Sequence, residues 1–163
     1  MPFVRGLRSG TLRFIRAARV AHLATVSAAG EPLVIPVCFV FDGRHFFTPI
    51  DEKPKKTAAS RLRRVRNVLE NPRVCLVIDQ YEEDWRRLAY VLVVGTAKLL
   101  FSGVRHGRAI ALLRRKYPQY RAMTLEGRPA IMIIPQKIVT WAGSSARADE
   151  GAGRGRQSRG KPL

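Results

Sequence analysis

Residues 61–79 read RLRRVRNVLENPRVCLVID, a basic segment that breaks at Asn71-Pro72 and resumes as an almost unbroken apolar run. Leu62, Val65 and Leu69 recur at helical spacing, and Arg61 and Arg64, three residues apart, share a face. With Ala58 ahead of them, they predict a helix over residues 58–69, closed where proline withdraws an amide donor. Arg73 to Asp79 has the length and composition of a buried strand. A helix that hands directly to a buried strand calls for a mixed fold with a sheet at its centre.

On the C-terminal side, a polar loop (80–87) leads to a long strand over 88–101. Ser102 is placed to cap a helix over 103–116, which Tyr117-Pro118 ends, and a last strand covers 131–141. On the N-terminal side, Leu12, Phe14 and Ile15, with Val20 beyond, mark a short amphipathic helix over 9–18. Strands over 22–27, 32–41 and 44–49 follow, turned at Ala29-Gly30 and Asp42-Gly43, the second a strong hairpin signal. Six strands and three helices, opening with a meander, fit an α+β, mainly β, six-stranded antiparallel barrel. The expected domain spans 1–142. Residues 143–163, rich in Gly, Ser and Arg, carry no apolar side chain larger than Ala before Leu163 and read as a disordered basic tail.

Length and composition exclude several classes. The 163 residues can bury a core without disulfides, no apolar run reaches the ~18 residues of a membrane span, and no signal-type segment opens the chain. Cys38 and Cys75 lie in apolar runs without metal-type spacing and read as reduced thiols of a cytoplasmic protein. Charge is the outlier: thirty Lys and Arg against twelve Asp and Glu give +18, of which the tail holds +3. Such a field suits nucleic acid, an anionic membrane or a phosphate-bearing small molecule. Interleaved basic and aromatic residues or a helix-turn-helix pattern, which nucleic-acid modules show, are missing.

The basic residues concentrate between Lys53 and Arg66, where Lys53, Lys55, Lys56, Arg61, Arg63, Arg64 and Arg66 meet no acid. Placed at a strand-to-helix junction, with Thr57 or Ser60 as cap and hydroxyl donor, they form a candidate phosphate cradle. Phosphate-loop, dinucleotide, zinc-protease and serine-hydrolase motifs are absent, and His22, His45 and His106 are scattered. Asp79, Glu82, Glu83 and Asp84 lack the spacing of a calcium loop; Asp79 and Asp84 read as loop or cap residues, and no metal is expected. Trp85 in its polar loop and Trp141 at a strand end either line a ring-binding pocket or pack at an interface. A phosphate cradle without an acid–base constellation leaves the chemistry to a bound cofactor.

The order of these elements, with Asn67-x-x-x-Asn71-Pro72-Arg73-Val74 and Gly95-Thr96-Ala97, resembles the pyridoxamine 5′-phosphate oxidase-like split-barrel superfamily over about Thr11 to Trp141. The runs 51–57, 61–67 and 79–85 are similar to its branch of probable deazaflavin (coenzyme F420)-dependent enzymes. The resemblance implies an FMN-binding type of split barrel and a homodimer with cofactor at the subunit interface. It also implies a hydride transfer between deazaflavin and a small organic acceptor, with no catalytic side chain. The phosphate falls to Arg64, eight residues before Pro72, and to Lys53, Lys55 or Lys56; the ring falls to Thr25, Val34, Ile35, Pro36, Val37 and Thr48. Arg64 stands where the family usually has Lys, replacing a point charge with a fork. The basic excess favours a cofactor with an anionic polyglutamate tail. An FMN-dependent oxidoreductase, or a non-catalytic flavin- or polyanion-binding protein, is the alternative.

Overall fold

The computed structural model describes residues 7–51 and 61–145. Helix α1 (Ser9–Ala17) precedes β1 (Ala21–Val26), β2 (Pro32–Val37), β3 (Val40–Phe41) and β4 (Phe46–Pro49). Then come α2 (Arg63–Glu70), β5 (Arg73–Gln80), β6 (Ala89–Leu100), α3 (Val104–Lys116) and β7 (Ala130–Ala142), with short 3-10 turns at Trp85–Arg87 and Pro118–Arg121. One antiparallel sheet runs β2-β1-β5-β6-β7-β4-β3. Because β2 and β3 are joined by two residues yet stand at opposite ends of that order, the sheet curls on itself as a split barrel.

The expected strand 32–41 is therefore two strands, and the sheet has seven rather than six. The chain must leave one sheet edge and enter the other at Cys38-Phe39, so Phe39 loses its ladder partners. Its buried backbone is satisfied from α3's end: the Phe39 N–H donates to the Tyr117 hydroxyl (3.0 Å), and that hydroxyl's proton is shared between the carbonyls of Phe39 (2.9 Å) and Arg19 (2.8 Å). Burial raises the Tyr117 pKa to about 12, which keeps the proton in place. Tyr117→Phe should cost about 1–3 kcal/mol because it strands a buried amide. Urea unfolding checks this, and an unchanged midpoint would refute it.

The starts of two helices differ from expectation. Helix α2 does not run from Ala58: Leu62 is extended (φ −67°, ψ 128°), its carbonyl receives the N–H groups of Val65 and Arg66, and its side chain packs on the core. Leu62, not Thr57 or Ser60, is thus the capping residue. Since α2 packs on both β1 and β6, its buried residues are Val65, Asn67 and Val68, whereas Leu69 is 66% exposed. Arg61 precedes the helix and so shares no helical face with Arg64. Helix α3 starts at Gly103 rather than at a Ser102 cap, because the entry needs φ +91°, which glycine adopts without strain. Asp42-Gly43 turns the chain as expected, with the Asp42 carboxylate accepting from the N–H groups of Arg44 (2.8 Å) and His45 (2.7 Å).

The core lies inside the curl. Leu23, Leu76 and Val93 are fully buried and stand side by side across β1, β5 and β6, joined by Phe39, Phe46 and Ile131. A second cluster, with Phe47, Leu113, Tyr117 and Leu125, holds α3 against β3 and β4. Gly95 sits at the β6–β7 bulge, where a β-carbon would lie 2.1 Å from the Ile134 carbonyl oxygen, so the close approach there requires glycine.

Candidate cofactor site

Helix α2 is tied to the β1–β2 turn at both ends: Arg63 pairs with Glu31, and the Glu70 carboxylate accepts from the Ala28 N–H (3.3 Å). In between, buried Asn67 donates to the Thr25 hydroxyl (3.0 Å). This bond fixes α2 over β1 and holds Thr25 below the helix. Asn67→Ala should cost about 1–2 kcal/mol, seen as a lower thermal midpoint, with Asn67→Asp worse because it buries a charge. An unaltered midpoint would show that the bond contributes nothing.

The start of α2 is electrostatically unusual. No side chain caps it and its first turn holds no acid. Arg63, Arg64 and Arg66 thus add positive charge at the positive end of the helix dipole, an arrangement that an incoming anion relieves. Arg64 is half-buried; burial lowers its pKa, opposed by the attraction of Asp51 and, more weakly, of Tyr120. The Tyr120 hydroxyl donates to the Asp51 carboxylate (3.3 Å), so a counter-charge that attracts Arg64 is held just beyond the end of β4. Tyr120 itself is held protonated, first by burial and then by its bonds to Cys38 and Asp51. Lys53, Lys55, Lys56, Thr57 and Ser60 lie outside the described residues.

The remaining expected residues fall in three places. On β2, Ile35 stands opposite core residue Leu23, and Val37 opposite Ala21, so both are half-buried on the inner face; Pro36, opposite His22, is exposed on the outer face. Prolines are tolerated in an edge strand only where the N–H would point outward, so Pro32 and Pro36 imply that Val34, between them, aims its N–H out of the sheet. Thr48, opposite Ile131, is buried two residues after the start of β4. Trp85 is 70% exposed but stands beyond Gln80, while Thr25 pairs with Val74 at the other end of β5. Six strand residues separate those ends by ~20 Å, so one chain does not bring Trp85 to Arg64.

Sequence reasoning assigned no role to Asn67, Asp51 or Tyr120. Asn67 had a signal, a polar residue within a buried apolar stripe; Tyr120 had none, because its partner is 69 residues away. The histidines have structural surroundings. His106 donates to the Arg128 carbonyl (2.8 Å), His22 lies 3.4 Å from Asp79, and burial lowers the His45 pKa against the pull of Asp42. Asp84 caps the turn at Trp85, as expected of a cap residue, whereas Asp79 belongs to β5 rather than to a loop. Cys38 and Cys75 are free and half-buried. Among the described residues no group of three His, Cys, Asp or Glu could hold a metal, and no helix is long and apolar enough to cross a membrane.

Comparison with known proteins agrees with this architecture. A 5a,11a-dehydrotetracycline/5a,11a-dehydrooxytetracycline reductase of Streptomyces rimosus subsp. rimosus is 31% identical over 142 residues, covering 86% of this chain and 84% of that protein. Two solved structures share the fold: a haem storage protein of Vibrio cholerae (TM-score 0.63, 18% identity, 82% of this chain and 92% of that one) and an F420 reductase (TM-score 0.54, 20% identity, 77% and 92%). The pyridoxamine 5′-phosphate oxidase model matches residues 11–142, from the first turn of α1 to the end of β7. With its curled sheet, its order of elements and a relative matched over 84% of its length in agreement, the chain belongs to the pyridoxamine 5′-phosphate oxidase family.

Proposed function

We propose that the protein is a homodimeric oxidoreductase that uses the deazaflavin coenzyme F420 to exchange hydride with a small organic acceptor. The observation that carries this reading is the uncapped, acid-free start of α2, which bears half-buried Arg64, attracted by Asp51, and follows the lysine-bearing segment in the chain. These donors suit a phosphodiester or phosphate monoester. Arg64, Arg61, Lys53, Lys55, Lys56 and Thr57 hold the phosphate in this reading. The outward N–H of Val34, the backbone about Ile35, Pro36 and Val37, and the strands bearing Thr25 and Thr48 face the ring, while Trp85 comes from the partner subunit.

The bound cofactor supplies the hydride chemistry, and the chain binds it, orients it and excludes water. The reductase activity named for the 31% identical relative and the F420 reductase of the same fold favour reduction with deazaflavin. A second copy has a surface to occupy. Val34, Ala24, Cys75 and Val94 form one row across the outer face of the sheet; His22, Val77, Leu92 and Val139 form the next. No described helix covers these rows, and Val34 is 60% exposed.

Titrating the cofactor-stripped protein with F420 and with FMN, followed by tryptophan fluorescence, tests the reading. Tight F420 binding with FMN at least about tenfold weaker is expected, a preference of about 1.4 kcal/mol. Preference for FMN would make the protein an FMN-dependent oxidoreductase, and no binding of either at micromolar concentration would refute the enzyme assignment.

A further inference from the structure

A groove of about 700 Å³ runs between α1 and the paired ends of β5, β6 and β7. It is far from the start of α2, at the Gln80 end of β5. Gly10, Arg13, Phe14 and Ala17, spaced three or four apart, form its helical wall, and the two small residues leave it open. Its opposite wall is an aromatic platform. Tyr90 and Trp141 are direct cross-strand partners, stacked with centroids 5.9 Å apart and planes 18° apart, and 38% and 41% exposed.

Positive charge meets that platform. Arg13 and Arg87 line the groove, Arg13 with no ion-pair partner among the described residues, Arg87 with only Glu82 at 3.9 Å. Among the described residues no acidic side chain lines it. The floor is rigid: the Asp84-capped turn carries Arg87, and the Gly143 N–H donates to the Leu88 carbonyl (2.8 Å). A β-carbon at Gly143 would lie 2.3 Å from the Arg86 carbonyl oxygen, so β7 seats against this turn only through glycine. The volume falls within the range of small-molecule sites. A pair of exposed stacked rings flanked by guanidinium groups favours ligands that are both flat and negative.

We infer that this groove binds a planar aromatic anion, its rings against Tyr90 and Trp141 and its negative group towards Arg13 and Arg87. As the acceptor subsite of the proposed oxidoreductase it rests on that reading, and it names the acceptor class as fused-ring phenolates or aryl carboxylates. As a binding site it stands on the groove alone.

Calorimetric titration of the cofactor-stripped protein with 3-hydroxy-2-naphthoate, and with its neutral amide, tests the inference. The naphthoate should bind with one site per chain, and the amide at least about tenfold more weakly, for loss of the charge-assisted contact. Arg13→Glu with Arg87→Glu should weaken the naphthoate by at least about tenfold, whereas the charge-matched pair Arg108→Glu with Arg115→Glu, exposed on α3, should change it less than about twofold. Trp141→Ala should weaken naphthoate and amide alike. Equal effects of the two charge-reversed pairs, or equal affinity for naphthoate and amide, would overturn the inference by reducing it to the general field of a basic protein. F420 titration of the Arg13/Arg87 variant separates the two proposals. Retained F420 affinity with lost naphthoate binding supports a distinct site, and loss of both overturns it. Wild type that binds naphthoate but neither cofactor would sink the oxidoreductase reading and leave the groove standing.

Discussion

Arg64→Ala should weaken F420 binding by about tenfold to a hundredfold, the worth of one charged hydrogen bond to phosphate at roughly 1.5–3 kcal/mol. The loss should be specific. Arg64 is half-buried at the surface of α2 and among the described residues has no hydrogen bond that holds an element of the fold, so the thermal midpoint should stay within ~2 °C of wild type. Arg64→Lys should recover part of the affinity, because it restores the charge without the fork. Asp51→Asn should give an intermediate loss, since Asp51 acts on the phosphate only through Arg64. If Arg64→Ala bound F420 as wild type does, the phosphate would lie elsewhere and the start of α2 would be a solvated basic surface.

If the protein is the dimer proposed above, Val77→Glu with Leu92→Glu should turn it into a folded monomer. The two residues are direct partners on β5 and β6, on the face that no described helix covers. In a two-fold dimer each substitution occurs twice, so four carboxylates would meet across the interface, each costing several kcal/mol to bury unpaired. In the isolated chain the same positions are half-buried on the outer face of the sheet, outside the core, and the fold should survive. Light scattering coupled to size-exclusion chromatography reads the result. Halving of the mass with unchanged circular dichroism supports the outer sheet face as the interface, and a variant that remains dimeric excludes it. If the cofactor lies between subunits, the monomer should also lose F420 affinity.

Most element positions were legible because local signals agreed with tertiary need. The stretch 73–79 became β5 within one residue, since Asn71-Pro72 ends the helix and a continuous apolar run suits a strand buried on the barrel's inner face. Asp42-Gly43, Tyr117-Pro118 and the long β6 were equally plain. Boundaries failed where a distant partner decided them. Nothing near Ala58 shows that Leu62 will turn outward to pack on the core and delay α2 to Arg63. Likewise the apolar run over 32–41 carries no local sign of a break at Cys38-Phe39; the break exists because the Tyr117 hydroxyl, 78 residues on, replaces the ladder.

Sequence alone determined the class of fold, the resemblance to the family and the concentration of cations about residues 53–66. Periodicity, turn chemistry and charge are properties of neighbouring residues and are written in order along the chain. Tertiary structure alone decided that the sheet closes on itself, that Asn67 locks α2 onto Thr25, and that Asp51, bonded by Tyr120, supplies a counter-charge to Arg64. It also decided that Arg13, Arg87, Tyr90 and Trp141 share one groove. These last depend on residues many positions apart, and their meeting follows from strand register and the curl of the sheet, which no local pattern encodes.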